Sequence, residues 1–172
     1  GQQENIIFGP GKIRDKLLGL EFSISSKSFY QVNVLQTEKL YQKAIELAKL
    51  NQNDIILDAY SGIGTIGLSA AKYVKQVIGV EVVKQAVRDA KENAKINHVN
   101  NVVFFEDDAS DFIEKLEERK QKIDAVFVDP PRKGLDERFI KSLNNLRPER
   151  IVYISCDPAT LARDVALFNA QY

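Results

Sequence analysis

Residues 54–81, DIILDAYSGIGTIGLSAAKYVKQVIGVE, decide the fold of this chain. The stretch begins with an apolar run that ends in Asp58, passes through a glycine-rich turn into a helical segment, and closes with a second apolar run at Glu81. Strands rich in valine and isoleucine without polar alternation are buried on both faces, as in a parallel sheet. The stretch therefore predicts a strand–helix–strand unit of a parallel α/β fold.

The alternation of strands and helices continues along the rest of the chain. Strands are predicted at 54–58, 76–81, 102–105, 123–128 and 150–154. Helices are predicted at 65–73, 83–97, 109–120, 135–145 and 158–168. This order predicts an α/β fold with a doubly wound, mostly parallel sheet over residues 51–172. Residues 1–50, with a half-buried strand at 22–25 and helical spacing over 34–50, are predicted to be an N-terminal extension packed on that domain.

The composition excludes several classes of protein. Lys+Arg and Asp+Glu number 24 each in 172 residues, and this zero net charge argues against a strongly basic nucleic-acid arm. One cysteine excludes an intrachain disulfide framework, and the single histidine, His98, has no second histidine with which to bind a metal. No run approaches the roughly 18 apolar residues of a membrane helix, and no signal-peptide pattern is present. A cytoplasmic monomer without membrane contact is expected.

A glycine pattern follows the first strand of the α/β unit. Gly62, Gly64 and Gly67 fit the G-x-G-x-x-G spacing between a predicted strand and a predicted helix, which is the context that this nucleotide-binding pattern requires. Glycines there allow a tight turn and close approach of the backbone to a ligand. Glu81 ends the next strand at about the separation at which an acid meets a ribose hydroxyl pair. The alternative is that the glycines serve only tight helix–strand packing.

The pattern suits either NAD or S-adenosylmethionine as the cofactor. Asp58 at the strand end favours S-adenosylmethionine, because a carboxylate there could contact the ammonium group of that cofactor. S-adenosylmethionine also has no pyrophosphate and needs no helix N-terminus shaped for phosphate. Asp107 and Asp108 follow the third strand, and Asp108 is the favoured acceptor for an adenine amino group. A cap on the following helix is the other interpretation of this pair.

Two further loops follow the fourth and fifth predicted strands. Ligands of open α/β sheets bind outside the carboxyl ends of the strands, so both loops face the same crevice. In the first loop, DPPRKG at 129–134, Asp129 is a rigidly held acceptor, and Arg132 and Lys133 could meet phosphate or substrate. A rigid, solvated turn is the alternative. The second loop holds the only cysteine, Cys156, just before a helix N-terminus whose dipole and free amides favour a thiolate.

A thiolate opposite such a cofactor site indicates a definite chemistry. Pyrimidine C5 is a poor nucleophile, but addition of a thiolate at C6 makes C5 enolate-like and able to attack a methyl sulfonium. A base must then remove the C5 proton so that the thiol can leave. A plain NAD dehydrogenase needs no such arrangement. A buried, inert cysteine is the alternative interpretation.

At this point the chain resembles a known family, the RNA uracil-5 methyltransferases that make 5-methyluridine in ribosomal and transfer RNA. The resemblance runs from about Phe22 to Phe168. Five motifs in the family's order carry it: SFYQVN at 28–33, DAYSGIGT at 58–65, GVE at 79–81, DPPRKG at 129–134 and SCDPATLARD at 155–164. The resemblance implies a Rossmann-like methyltransferase fold, S-adenosylmethionine as cofactor and RNA as partner.

The resemblance also implies roles for individual residues. Cys156 would be the nucleophile, and Phe29 lies in the segment that approaches the target base. The residues implied to contact S-adenosylmethionine are Gln31, Tyr60, Glu81 and Asp129. The residues of the last two motifs are more similar to those of the ribosomal RNA branch, so 23S ribosomal RNA is the expected substrate and transfer RNA the alternative.

Two departures from the family pattern shape these expectations. Members usually continue to a His-Val-Glu segment whose glutamate removes the proton, and this sequence stops at Tyr172. Members also usually carry an N-terminal RNA-binding barrel, so a truncated catalytic domain is expected. A catalytically incomplete fragment that binds S-adenosylmethionine or RNA is one competing hypothesis. Another is exocyclic N-methylation, which prefers an aromatic residue where Arg132 stands, and an NAD oxidoreductase is the remaining one.

Overall fold

The computed structural model describes residues 11–26, 28 and 33–168. A parallel sheet of five strands has the order β5-β4-β3-β6-β7, and a separate antiparallel hairpin pairs β1 with β2. The strands are β1 (Lys12–Leu17), β2 (Leu20–Ser25), β3 (Ile55–Ala59), β4 (Gln76–Glu81), β5 (Val102–Glu106), β6 (Ala125–Val128) and β7 (Arg150–Tyr153). The α-helices are α1 (Val34–Leu47), α2 (Thr65–Ala70), α3 (Lys84–Ile96), α4 (Ala109–Glu118), α5 (Glu137–Leu146) and α6 (Pro158–Val165). Among these helices, none has the length and apolar character of a membrane span. The predicted doubly wound α/β fold is confirmed.

Two apolar layers cover the two faces of the sheet. Because side chains alternate along a strand, the neighbours Ile56 and Leu57 on β3 enter opposite layers. Burial on both faces is what the continuous apolar runs predict for parallel strands. Phe22 of the hairpin and Tyr41 of α1 belong to the same layer as Ile56. The described part of residues 1–50 therefore shares a core with the sheet, while the domain boundary at residue 50 stays a prediction.

The outer edge of β2 is covered by α3. Side chains spaced four residues apart on the helix accept hydrogen bonds from backbone amides spaced two residues apart on the strand. The bonds run from Ser25 N–H to Asp89 Oδ2 (3.1 Å), from Ser23 N–H to Asn93 Oδ1 (2.7 Å) and from Glu21 N–H to Asn97 Oδ1 (2.8 Å). The two spacings match, because four helical residues rise about 6 Å and two strand residues about 7 Å. The helix thus satisfies amides that have no strand partner.

Some element boundaries differ from those that the sequence predicts. The pattern does not predict β1, because its six residues include two apolar ones and Ile13 is 69% exposed. The first helix ends at Leu47 rather than at residue 50, and Lys49 just beyond it has a left-handed backbone (φ 44°). The last helix ends at Val165 rather than at residue 168. These differences leave the order and direction of the predicted strands of the sheet unchanged.

Candidate active site

The candidate site lies where the strand order reverses. The chain runs outward from β3 to β5 and returns to β6 on the other side of β3, and such switch points form the ligand crevice of open α/β sheets. The loop after β3 begins at Tyr60 and the loop after β6 at Asp129, so the two loops flank this crevice. Ile154 N–H donates to Val128 O (2.8 Å), which holds the segment leading to Cys156 beside the Asp129 loop.

Glu81 holds the glycine loop from the neighbouring strand. One of its carboxylate oxygens accepts from Gly62 N–H (3.0 Å) and the other from Val83 N–H (2.8 Å). Gly62 has a left-handed backbone (φ 54°), and open space lies where a side chain would project. The loop can therefore be approached closely at Gly62. Direct contacts of Gly62 and Glu81 with a cofactor stay predictions.

The other two glycines of the pattern serve packing. A Cβ at Gly64 would lie 2.6 Å from Phe104 Cζ, and a Cβ at Gly67 would lie 2.8 Å from Asp58 Oδ2. Gly64 also uses its N–H inside the turn, where it donates to Ser61 O (2.8 Å). The packing interpretation therefore accounts for Gly64 and Gly67. The predicted cofactor contact of Gly64 stays a prediction. The Gly64 amide cannot make that contact while it donates to Ser61 O.

Carboxylates crowd the carboxyl ends of the central strands. Asp58 is 1% exposed, and its Oδ2 accepts from Gly67 N–H (2.8 Å), so this carboxyl lies under the glycine loop rather than in the open crevice. Burial raises the pKa of Asp58 to about 7 despite that hydrogen bond, with the charges of Asp129 and Glu81 adding to the rise. Burial also raises the pKa of Asp129 to about 6. The crevice thus favours a positively charged ligand, and the predicted contact of Asp58 with an ammonium group stays a prediction.

We expect Asp58 to make the stability of the fold depend on pH. Its raised pKa gives a contribution that is complete below pH 3.8 and is lost as the pH rises to about 7. Asp58→Asn keeps an acceptor for Gly67 N–H and removes the ionisation. The variant should therefore gain stability relative to wild type between about pH 4 and about pH 8, by a few kcal/mol. Urea unfolding at successive pH values measures this difference.

Asp124→Asn is the matched control for this experiment. Asp124 is also buried (4% exposed) and accepts a backbone hydrogen bond, from Ile55 N–H (2.8 Å). Burial acts to raise its pKa, but the hydrogen bonds from Lys122 and Ile55 outweigh burial and hold that pKa below the ordinary value. Its contribution is complete above pH 3.8 and is lost only as the pH falls further, so this variant should parallel wild type above about pH 5. A parallel curve for Asp58→Asn would contradict the raised pKa.

Tyr60 begins the glycine loop in a strained conformation. Its φ of 63° lies in the left-handed region, which costs a residue other than glycine about 1–3 kcal/mol. The half-buried ring packs against Phe139 of α5, with ring centroids 5.9 Å apart. Such strain persists where neighbouring groups fix the conformation, and it concentrates at functional sites. The predicted contact of Tyr60 with a cofactor stays a prediction.

Asp108 caps α4 at the edge of the crevice. Its Oδ1 accepts from Ser110 N–H (2.8 Å) and Asp111 N–H (3.3 Å), so the cap interpretation is confirmed. The preceding residue, Asp107, pairs instead with Lys115 at 2.5 Å. Asp108 is exposed, and its predicted contact with an adenine amino group stays a prediction.

Cys156 is exposed on the segment between β7 and α6, which excludes the buried, inert interpretation. The neighbouring helix amides are not free, because Asp157 Oδ1 accepts from Ala159 N–H (2.9 Å) and Thr160 N–H (3.0 Å). The expectation that these amides are free is therefore wrong, since a carboxylate already occupies this helix N-terminus. The hydrogen bond from Thr160, together with the one from Ala159 and the charge of Arg132, holds the pKa of Asp157 below its ordinary value.

Comparison with known proteins assigns the family. The sequence profile of the tRNA (uracil-5-)-methyltransferase family matches residues 11–171. The chain belongs to this family. A relative from Enterococcus faecalis, described as an uncharacterized RNA methyltransferase, is 52% identical over 169 residues, which are 98% of this chain and 37% of the relative. A relative from Lactiplantibacillus plantarum with the same description is 52% identical over 172 residues, which are 100% of this chain and 37% of the relative.

A solved structure of the family shares the fold. The Pyrococcus abyssi tRNA (uracil-54, C5)-methyltransferase in complex with S-adenosyl-L-homocysteine superposes with a TM-score of 0.79 at 37% identity. The match covers 94% of this chain and 39% of that protein. The chain thus spans less than two fifths of the length of these relatives. The family and the fold that the motifs imply are confirmed.

The family motif DPPRKG has a fixed backbone and exposed charges. Arg132 O accepts from Thr160 Oγ1 (3.2 Å), and Lys133 O accepts from Arg163 Nη2 (2.8 Å). Both Arg132 and Lys133 are exposed to solvent. Their predicted contact with substrate stays a prediction.

The family motif SFYQVN is described only at its ends. Phe29 and Gln31, which the resemblance assigns to the target base and the cofactor, lie outside the described residues. Ser28 at the start of the motif donates from Oγ to Asp89 Oδ2 (2.7 Å), and Asp89 is fully buried in α3. Sequence reasoning missed Asp89 as the anchor of this segment. The available signal is a stripe of polar residues four apart on a helix that covers the core: Gln85, Asp89, Asn93 and Asn97.

A cavity of about 750 Å³ lies apart from the residues predicted to contact the cofactor or the base, although Asn97 at the end of the α3 stripe is part of its lining. Leu18, Lys49, Tyr73 and His98 are among its lining residues, and they belong to segments at the amino ends of the strands. The loops that carry the family motifs follow the carboxyl ends of the strands. This cavity is therefore no part of the candidate active site.

Proposed function

We propose that this chain forms the methyl-transfer domain of an enzyme that methylates C5 of a uridine in RNA with S-adenosylmethionine. The observation that carries the proposal is an exposed cysteine, Cys156, at the same sheet edge as the glycine loop and the acidic crevice. Membership of the uracil-5 family supports it. The Pyrococcus abyssi relative, described as acting on uracil C5 and solved with S-adenosyl-L-homocysteine, supports it further.

The charge of the crevice suits S-adenosylmethionine better than a dinucleotide. The sulfonium and ammonium groups of S-adenosylmethionine are cations, whereas the pyrophosphate of NAD is an anion. The negative charges of Glu81 and Asp129 act on the buried Asp58, so a cation bound among them would be stabilised. The residues that we assign to this cofactor are Gln31, Tyr60, Glu81 and Asp129, which the resemblance implies, and Gly62 of the glycine loop.

The chemistry follows from the properties of uracil. Bound S-adenosylmethionine would supply an electrophilic methyl group. The sulfur of Cys156 adds to C6, and the electron pair of the C5–C6 double bond makes C5 nucleophilic. As C5 attacks that methyl group, the bond between the methyl group and the sulfonium sulfur would break and S-adenosylhomocysteine would be the leaving group. The C5 proton then passes to a base and the C6–S bond breaks, which restores the double bond and releases the thiolate. Arg132 and Lys133, exposed on the adjoining loop, would bind RNA phosphate.

Two kinds of RNA remain candidates for the substrate. The residue sequences of the DPPRKG and SCDPATLARD motifs favour ribosomal RNA, and 23S ribosomal RNA is our proposal. Transfer RNA is the second candidate, because the family profile and the Pyrococcus abyssi relative are both named for it. The same C5 chemistry serves either substrate.

Tritium release tests the position of methylation, in a protein that contains the whole of this chain. RNA labelled with tritium at uridine C5 is mixed with S-adenosylmethionine carrying a labelled methyl group. Because each C5 methylation replaces the C5 hydrogen, we expect one tritium released for each methyl group transferred. Methyl transfer without tritium release would place the reaction on another atom and refute the proposal. Ribosomal and transfer RNA are assayed side by side, and reaction with transfer RNA alone would select the second substrate.

A further inference from the structure

Asp164 of α6 is a buried carboxylate that joins three segments of the candidate site. The residue is fully buried, and its Oδ2 accepts from Leu135 N–H (2.8 Å) and from Tyr153 Oη–H (2.7 Å). Its Oδ1 accepts from Arg163 Nε (2.8 Å) and Nη2 (2.5 Å). One side chain thus links the end of the DPPRKG loop, the end of β7 and the helix that follows Cys156.

The Asp164 carboxylate is charged despite its burial. Burial acts to raise its pKa, but the hydrogen bonds from Tyr153, Leu135 and Arg163 outweigh that effect and hold the pKa below its ordinary value. A buried carboxylate with this many donors is stable only while its partners stay in place. Asp164 and its hydrogen-bond donors, here called the hub, therefore resist displacement of any one of the three segments.

Two further contacts bind the same loop to α6. Thr160 Oγ1 donates to Arg132 O, and Arg163 Nη2 donates to Lys133 O. Gly134 lets the helix approach, because a Cβ there would overlap Thr160 and Asp164 and would lie 2.6 Å from Arg163 Nη2. The DPPRKG loop is therefore bonded to α6 through both Thr160 and Arg163.

We propose that Asp164 is a positioning residue that fixes Cys156 relative to the DPPRKG loop during attack on the base. The inference rests on the proposed role of Cys156 as nucleophile. Asp164 does not line the crevice, and it acts through the backbone of Leu135 and the hydroxyl of Tyr153. A displacement of reacting groups by about 1 Å can slow a reaction about 100-fold, so the hub matters more for rate than for binding.

Asp164→Asn tests this role, because the amide keeps the volume of the carboxylate and brings two N–H donors into a site already full of donors. Single-turnover methyl transfer to RNA should slow about 100-fold, while the dissociation constant for S-adenosylmethionine should change by less than about threefold. The amide of Leu135 should exchange its hydrogen at least about tenfold faster, together with the first amides of α6. Exchange at Gly67, under the glycine loop, should not change.

Asp124→Asn is the control, since Asp124 is a buried carboxylate with a backbone partner at the other end of the sheet. Asp124→Asn should lower the free energy of unfolding without slowing single-turnover methyl transfer about 100-fold. Tyr153→Phe is a second, milder variant that removes one donor to Asp164 and should slow methyl transfer in the same direction. Equal rates for Asp164→Asn and Asp124→Asn, or unchanged exchange at Leu135, would overturn the inference. A wild-type protein that transfers no methyl group to RNA would instead refute the proposed function on which the inference rests.

Discussion

Replacing Cys156 with alanine is expected to stop methyl transfer to RNA while leaving the fold and the binding of S-adenosylmethionine intact. Without the sulfur, C5 of uracil is not activated, and loss of a covalent nucleophile lowers turnover on the order of 10⁴-fold or more. Because Cys156 is exposed, the free energy of unfolding should change by less than about 0.5 kcal/mol. Tritium release from labelled RNA and urea unfolding measure the two effects.

Trapping of the covalent adduct gives an independent measurement. RNA that contains 5-fluorouridine has no C5 proton to lose, so the wild-type protein should form an adduct that survives denaturing electrophoresis. Cys156→Ala should form none, and neither should Cys156→Ser, which is close in size but far less nucleophilic. Cys156 is the only cysteine of this chain, so a thiol reagent that modifies Cys156 should prevent the adduct, and peptide mapping can locate the modified residue. Unimpaired tritium release by Cys156→Ala would refute the assignment of the nucleophile.

Replacing Gly79 with alanine is expected to destabilise the fold by about 3 kcal/mol, at the upper end of the usual cost of overpacking. Gly79 lies within β4, and a Cβ there would overlap the ring of Phe104, which is buried at 4% exposure. The same ring lies against Gly64 in the glycine loop. A shift of the ring would therefore disturb the loop as well, and affinity for S-adenosylmethionine should fall together with stability.

Two variants separate the effect of steric overlap with Phe104 from the general effect of replacing a glycine. Gly19→Ala introduces strain in the hairpin turn (φ 80°) where nothing lies within 4 Å, and it should cost only about 1 kcal/mol. Phe104→Leu combined with Gly79→Ala should recover part of the loss, which gives a favourable coupling energy in a double-mutant cycle. Additive effects of the two substitutions in urea unfolding would show that the ring is not what excludes a side chain at Gly79.

The parallel sheet could be predicted because its strands carry their own signal. The runs at β3, β4 and β6 are apolar at nearly every position, as burial on both faces requires. The hairpin strand β1 could not be predicted in this way, because Ile13 faces solvent and the strand carries no apolar alternation. Only its pairing with β2 in the folded structure defines it. The helix that follows Cys156 was predictable in place, but its end was not, since no glycine or proline stops it.

The candidate site shows the same division between local and tertiary signals. The order of the motifs and the rule that ligands bind at strand ends bring Tyr60, Asp129 and Cys156 to one edge. Asp157 as a helix cap is also local, but its use of the helix amides removes the support that they were expected to give the thiolate. The role of Asp164 is tertiary, because its partner Leu135 is 29 residues away and no spacing rule connects them.

The cover that α3 places over β2 has a consequence for self-association. An open strand edge recruits strands from other molecules, and this is a common route to aggregation. The outer amides of β2 already bond to Asp89, Asn93 and Asn97, so no foreign strand can pair there without displacing them. On the other side of the hairpin, β1 is rich in charged side chains, which disfavour edge pairing. A helix with amide and carboxylate side chains thus keeps a small two-stranded hairpin from joining the sheet of a neighbouring molecule.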